Sequence, residues 1–128
     1  MSGPIVFISH QRVKPGKFDE FVAFFAEGSK AIEADKPGTH VFLAYADLDR
    51  GETRIVHVFP DAAAMDRHMQ GADERSARAY RFLEPLEIDV YGVPSSGAIS
   101  EIEGLAGQGV KVTLMPESIG GYLRTSTR

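Results

Sequence analysis

Four side chains of this sequence can exchange a proton near neutral pH: His10, His40, His57 and His68. An imidazole with an ordinary pKa near ~6.5 can take a proton from an acidic hydroxyl, ligate a metal or simply hydrogen-bond. Their spacing contains no HxH, HxxxH or HExxH pattern, so nothing local encodes a metal site and none is expected. Two of them share the stretch IVHVFPDAAAMDRHMQG, residues 55–71. His68 follows Met65 by three positions and precedes Met69, on the border of an apolar helical stripe. A histidine so placed is more often structural than reactive. His57 or Phe59, on the run just before, can point into the same space.

Other chemistries are weaker. The chain has no cysteine, which excludes disulfides, thiolate metal sites and cysteine nucleophiles. Asp47-x-Asp49-x-Gly51 begins like a calcium loop, but its twelfth position would be Val58 where a bidentate Glu is needed, so it reads as a charged hairpin turn. The glycines of 104–109 have the wrong order for a dinucleotide fingerprint and suit a helix end. Ser95-Ser96 after Pro94 reads as a helix cap, and no G-x-S-x-G elbow occurs. Arg75, Arg78 and Arg81 read as a solvated helix face.

The elements that must position these residues follow from periodicity. PIVFISHQR (4–12) is strand-like, and Lys14-Pro15-Gly16 ends it. Phe18, Phe21, Val22, Phe25 and Ile32 then recur at helical steps until Pro37-Gly38. THVFLAYADL (39–48) and ETRIVHVF (52–59) flank a short Asp/Gly loop, a hairpin signal. Asp61 is an N-cap for the next helix, which Gly71 and Asp73 break before a second piece at 74–83. LEIDVYGV (86–93) is the fourth strand. The order is β-α-β-β-α-β, an α+β ferredoxin-like fold with an antiparallel sheet and helices on one face. SGAISEIEGLAG and VKVTLM (110–115) add a helix and a strand, and TSTR at the end is expected to fray. The chain is thus a single domain, with a core over 1–95 and an extension over 96–128. Both sheet faces carry apolar residues: Phe7 against Ile8 on strand 1, Ile55 and Phe59 against Val56 and Val58 on strand 3. A homodimer packed sheet to sheet is the economical cover, with the extension at its interface and its strand free to join the partner's sheet.

A formal charge of -4 gives no reason to expect nucleic acid or an anionic membrane as partner. No apolar stretch approaches membrane-spanning length, and no leader is visible ahead of the short run IVFI, so a cytoplasmic location is expected.

VKPGKFDEF after strand 1, KPGTHVFLAY into strand 2, HVFPDAAAMDRHM into helix 2 and LEIDVYGVPS at the last core strand together resemble the antibiotic-biosynthesis-monooxygenase-like family over about residues 4–95. The resemblance implies a dimeric α+β barrel and cofactor-free oxygenation of a quinol or polycyclic phenol, in which the deprotonated substrate itself supplies electrons to O2. His68 matches a recurrent histidine of that family and is the expected catalytic base or hydrogen-bonding group. Tyr45, His57, Phe59, Phe21, Phe25 and Met65 are the expected pocket walls. Haem-degrading relatives use Asn and Trp beside His, and hydroxyquinone-oxidising ones often do too. This chain has neither Asn nor Trp, which argues against haem degradation. A non-catalytic ligand-binding dimer and a non-oxidative isomerase or cyclase remain alternative uses of one scaffold.

Overall fold

The computed structural model describes residues 3–124, so the TSTR terminus lies outside the described residues. The chain forms β1 (Ile5–Val13), α1 (Phe18–Asp35), β2 (Val41–Asp47), β3 (Glu52–Phe59), α2 (Ala62–Met69), α3 (Ala72–Ala79), β4 (Leu83–Tyr91), α4 (Ser96–Ala106) and β5 (Lys111–Met115). Local chemistry sets the boundaries. Asp61 Oδ1 accepts from the Ala64 N–H at 2.8 Å, capping α2 as its position after Pro60 predicts. Gly71, at φ 81, takes the left-handed conformation that separates α2 from α3. Ser95 Oγ accepts from the Ala98 N–H and starts α4. The carboxylate of Asp47 accepts from the N–H groups of Asp49 and Arg50 and closes the β2–β3 turn.

The sheet order is β2-β3-β1-β4-β5. Its first four strands are antiparallel neighbours, as a ferredoxin-like fold requires, and β5 joins β4 in parallel through α4. The strand of the extension therefore pairs with β4 of its own chain. β4 starts earlier than its sequence predicts and includes Pro85, opposite Gln11 and beside a register shift. The proline is tolerated because β5 reaches only as far as Glu87, leaving Pro85 without a ladder partner on that side.

Alternation assigns the two faces. Ile5, Phe7, Ser9 and Gln11 of β1 share a side with Phe59, His57, Ile55 and Thr53 of β3, and the helices cover it. At one end Ile5, Phe59, Met65 and Val90 are fully buried, and Ala98, Ile102 and Val110 of the extension belong to that same cluster. Burying these large apolar groups supplies roughly 2 kcal/mol each against solvent exposure. The opposite face carries Val6, Ile8, Val56 and Val58, only half-buried, with Leu43 and Tyr45 exposed. His10 Nε2 and Asp89 Oδ2 meet on that face at 3.0 Å. Among the described residues no helix is long and apolar enough to cross a membrane.

Candidate functional site

The register of the β2–β3 hairpin puts Phe42 beside His57, and β1 puts Phe7 on its other side. His57 Nδ1 donates to the Phe7 carbonyl at 3.0 Å, which in the neutral ring leaves the lone pair on Nε2. One turn of α2 beyond Met65 brings His68 down onto this row. The two imidazoles meet edge to face, centroids 5.1 Å apart. Phe42 lies 5.2 Å from His57 and 5.8 Å from His68, and Phe59 lies 5.2 Å from His68. Phe25 stacks on Phe42 at 5.0 Å, and Phe21 tilts against Phe25 at 6.0 Å. His57 and His68 are 8% and 4% exposed, so both rings sit in an aromatic enclosure.

The charge state follows from this burial. Loss of water lowers the pKa of His57 from 6.5 to about 4, against the opposing pull of its bond to Phe7. Loss of water, then the fields of His57, Arg75 and Lys36, lower His68 from 6.5 to about 3. Both rings are neutral at physiological pH. His68 Nδ1 and Thr39 Oγ1 lie 2.7 Å apart. If the threonine hydroxyl donates, Nε2 carries a hydrogen; if Nδ1 donates, Nε2 holds a lone pair.

The two cations are fixed by the end of α2. Lys36 Nζ donates to the carbonyls of Arg67 at 2.9 Å and Gln70 at 3.3 Å. Arg75 donates to the carbonyls of His68 and Gln70. Cations belong at a helix C-terminus, where unpaired carbonyls concentrate negative charge. Arg75, expected on a solvated face, instead folds back over Gly71 onto the last turn of α2. That fold-back requires the left-handed bend, which spacing alone does not reveal.

Beyond the histidine row the enclosure loosens. The next row across the same face is Ala44, Ile55 and Ser9, and the one after is Ala46, Thr53 and Gln11. Gln11 and Thr53 are 7% and 3% exposed, whereas Ala46 is exposed and Ala44, Ile55 and Ser9 are half-buried. The side chains at Ala44, Ala46 and Ser9 are small, next to the row of Phe42, His57 and Phe7. A depression of about 230 Å³ reaches Ala46 and Thr53 from the hairpin side. A second, of about 310 Å³, lies between the α1 entrance and the β2–β3 turn, away from His57 and His68.

Of the residues singled out by sequence, His68, His57, Phe59, Phe25 and Phe21 come together. Met65 is fully buried in the adjoining core, one helical turn below His68. Tyr45 does not join them: it pairs with Arg54 on the opposite sheet face and is 63% exposed. Phe42, Thr39, Lys36 and Arg75 were not singled out for this site. Phe42 was legible from alternation along β2. The other three converge only through packing.

A family model described as antibiotic biosynthesis monooxygenase matches residues 4–80. The chain belongs to the antibiotic biosynthesis monooxygenase family. Among solved structures, MupZ from Pseudomonas fluorescens is similar with a TM-score of 0.73 at 12% identity, over 98% of this chain and 99% of that one. Rv0793 from Mycobacterium tuberculosis gives 0.60 at 18%, over 73% and 98%. A mutant of SnoaB, a cofactor-independent oxygenase from Streptomyces nogalater, gives 0.58 at 18%, over 73% and 95%. At such identities the likeness is one of fold. No curated protein sequence matches the chain significantly. In this family member the likeness to MupZ runs into α4 and β5, beyond the family match.

Proposed function

We propose that this protein is a cofactor-free monooxygenase of a quinol-like or phenolic small molecule, acting as a cytoplasmic homodimer. The observation that carries the reading is the pair of neutral, buried imidazoles, His57 and His68, packed against Phe42 and Phe59. In this reading a flat ring packs against these phenylalanines with its hydroxyl at His68. With Nδ1 donating to Thr39, the Nε2 lone pair receives the phenolic proton. With Thr39 donating, Nε2–H supports the oxyanion instead.

An imidazole with a pKa of about 3 is a weak resting base. The fields of Arg75 and Lys36 that depress it also favour an anion in the same place, so they assist ionisation of the substrate while weakening the imidazole as its proton acceptor. The ionised ring gives up its electrons to O2; one oxygen atom enters the ring carbon and the other leaves as water as the ring becomes a quinone. The protein's task is to orient the ring, move one proton and keep bulk water out. The apolar face of Val6, Ile8, Val56 and Val58 suits a second copy of the chain. The lack of cysteine fits a reducing compartment.

The test is oxygen uptake with 1,4-dihydroxynaphthalene, without added metal or flavin. The His68→Ala variant is expected to lose on the order of a hundredfold in rate, the lower range of general acid–base catalysis. Equal rates would end the role given to His68. The weak basicity of His68 favours as second reading a non-catalytic ligand-binding dimer, recognised by ligand-dependent thermal stabilisation without oxygen uptake.

A further inference from the structure

Two tautomers of His68 are compatible with its 2.7 Å contact to Thr39 Oγ1, and hydrogen-bond accounting separates them. Among the described residues Nδ1 is the only ring nitrogen of His68 with a hydrogen-bond partner, and His68 is the only partner of the Thr39 hydroxyl. Where Nδ1 donates, the hydroxyl hydrogen and the Nε2 lone pair are both left without a partner in the chain. Where the hydroxyl donates, Nε2–H alone is left. No side-chain nitrogen or oxygen cut off from solvent lacks a partner among the described residues, so Nε2, which has none, is not sealed. The remaining hydrogen therefore sits where an incoming group can accept it.

Charge points the same way. Arg75 donates to the His68 carbonyl, and Lys36 donates to those of Arg67 and Gln70, so both cations lie toward the backbone of this turn. Nδ1 is bonded to Cγ and is the ring nitrogen nearer that backbone. A positive field favours the lone pair on the near nitrogen and the hydrogen on the far one. Thr39 is itself held in place, its N–H donating to the Lys36 carbonyl at 2.9 Å. His57 is tied in the opposite sense: its Nδ1 donates to Phe7, which leaves the lone pair on Nε2.

We propose that Thr39 is a positioning residue whose hydroxyl donates to His68 and holds that ring as the Nε2–H tautomer, opposite to His57, so that His68 serves as a hydrogen-bond donor. The consequence for chemistry rests on the reading of the histidine pair as an oxygenase site. The phenolic O–H bond breaks, its proton passes to the Nε2 lone pair of His57, and Nε2–H of His68 donates to the oxyanion that remains. His57, at about 4 against about 3 for His68, is also the more basic ring of the two.

The experiment is long-range proton–nitrogen NMR of the full chain with labelled histidines, at neutral pH and without ligand. His68 is expected to show the Nε2–H pattern and His57 the Nδ1–H pattern. Thr39→Val, which keeps the shape and removes the hydroxyl, should move the His68 Nδ1 resonance toward its unbonded position, and Thr39→Ser should restore it. A wild-type His68 in the Nδ1–H tautomer, or an Nδ1 resonance unmoved by Thr39→Val, overturns the proposal; the first of these needs no variant to fold. In oxygen uptake with 1,4-dihydroxynaphthalene, His68→Gln, whose amide can still donate, should lose about threefold to tenfold, the scale of one neutral hydrogen bond. His57→Gln, which has no basic nitrogen, should lose on the order of a hundredfold. The reverse order also overturns the proposal. The expected tautomers in a protein that consumes no oxygen uphold the role of Thr39 and remove the oxygenase. Oxygen uptake by a protein with the other His68 tautomer does the reverse.

Discussion

Lowering the pH from 7 to 5 should destabilise the fold through its two buried histidines. In the unfolded chain both titrate near 6.5, whereas in the folded protein His57 falls to about 4 and His68 to about 3. Their contribution is therefore complete above about 6.5 and is lost as the pH drops toward the folded values, because the unfolded state binds the extra protons. Each unit below ~6.5 costs about 1.4 kcal/mol per histidine, so the step from pH 7 to pH 5 removes about 2 kcal/mol for each. For a domain stabilised by roughly 5–15 kcal/mol, a loss of about 4 kcal/mol for the pair is large. The assay is urea unfolding followed by circular dichroism at one protein concentration, comparing the wild type with His68→Gln at both pH values. Carboxylates contribute nearly equally to the two proteins and cancel in the comparison. The wild type should lose about 2 kcal/mol more than the variant on acidification. Equal losses would refute the claim that His68 is held neutral by its surroundings.

Two further outcomes follow from the same geometry. Arg75→Met removes the guanidinium bonds to the carbonyls of His68 and Gln70, and should cost about 1–3 kcal/mol in chemical unfolding while raising the His68 pKa seen by NMR titration; an unmoved His68 titration would show that Arg75 does not act on the ring. Gly92→Ala places a Cβ 2.7 Å from the Pro4 carbonyl oxygen at φ +107, so it should lower the thermal midpoint by several degrees, about 2 kcal/mol or more. An unchanged midpoint would mean that β1 and the end of β4 yield without cost.

The order of elements was legible because its punctuation is local. Proline, glycine and Asp61 mark the boundaries, and ETRIVHVF corresponds to β3 to the residue. His68 was legible as a border residue because Met65 lies one turn before it. Alternation also contained more than it first yielded. Asp47 pairs with Glu52, so counting back along β2 brings Phe42 to His57 and sends Tyr45 to Arg54 on the other face. Ser9 and Gln11, of the same parity as Phe7, are likewise readable as polar groups on a core side. Thr39, Lys36 and Arg75 are different. Each reaches His68 or its helix end from a separate element, and Arg75 does so only because Gly71 turns the chain. Such convergence depends on tertiary packing, which local periodicity does not encode.

The parallel pairing of β5 with β4 also has a consequence for biosynthesis. Ala98, Ile102 and Val110 close the cluster that contains Ile5, Phe59 and Met65, so β1 is covered by a segment made only after β2, β3 and β4. At ribosomal rates of about 5–20 residues per second, the apolar end of the nascent core stays open for seconds while the remaining chain is synthesised. For that interval the polypeptide presents the kind of surface that chaperones retain. The wait ends only when the crossover through α4 lays its helix over that open end.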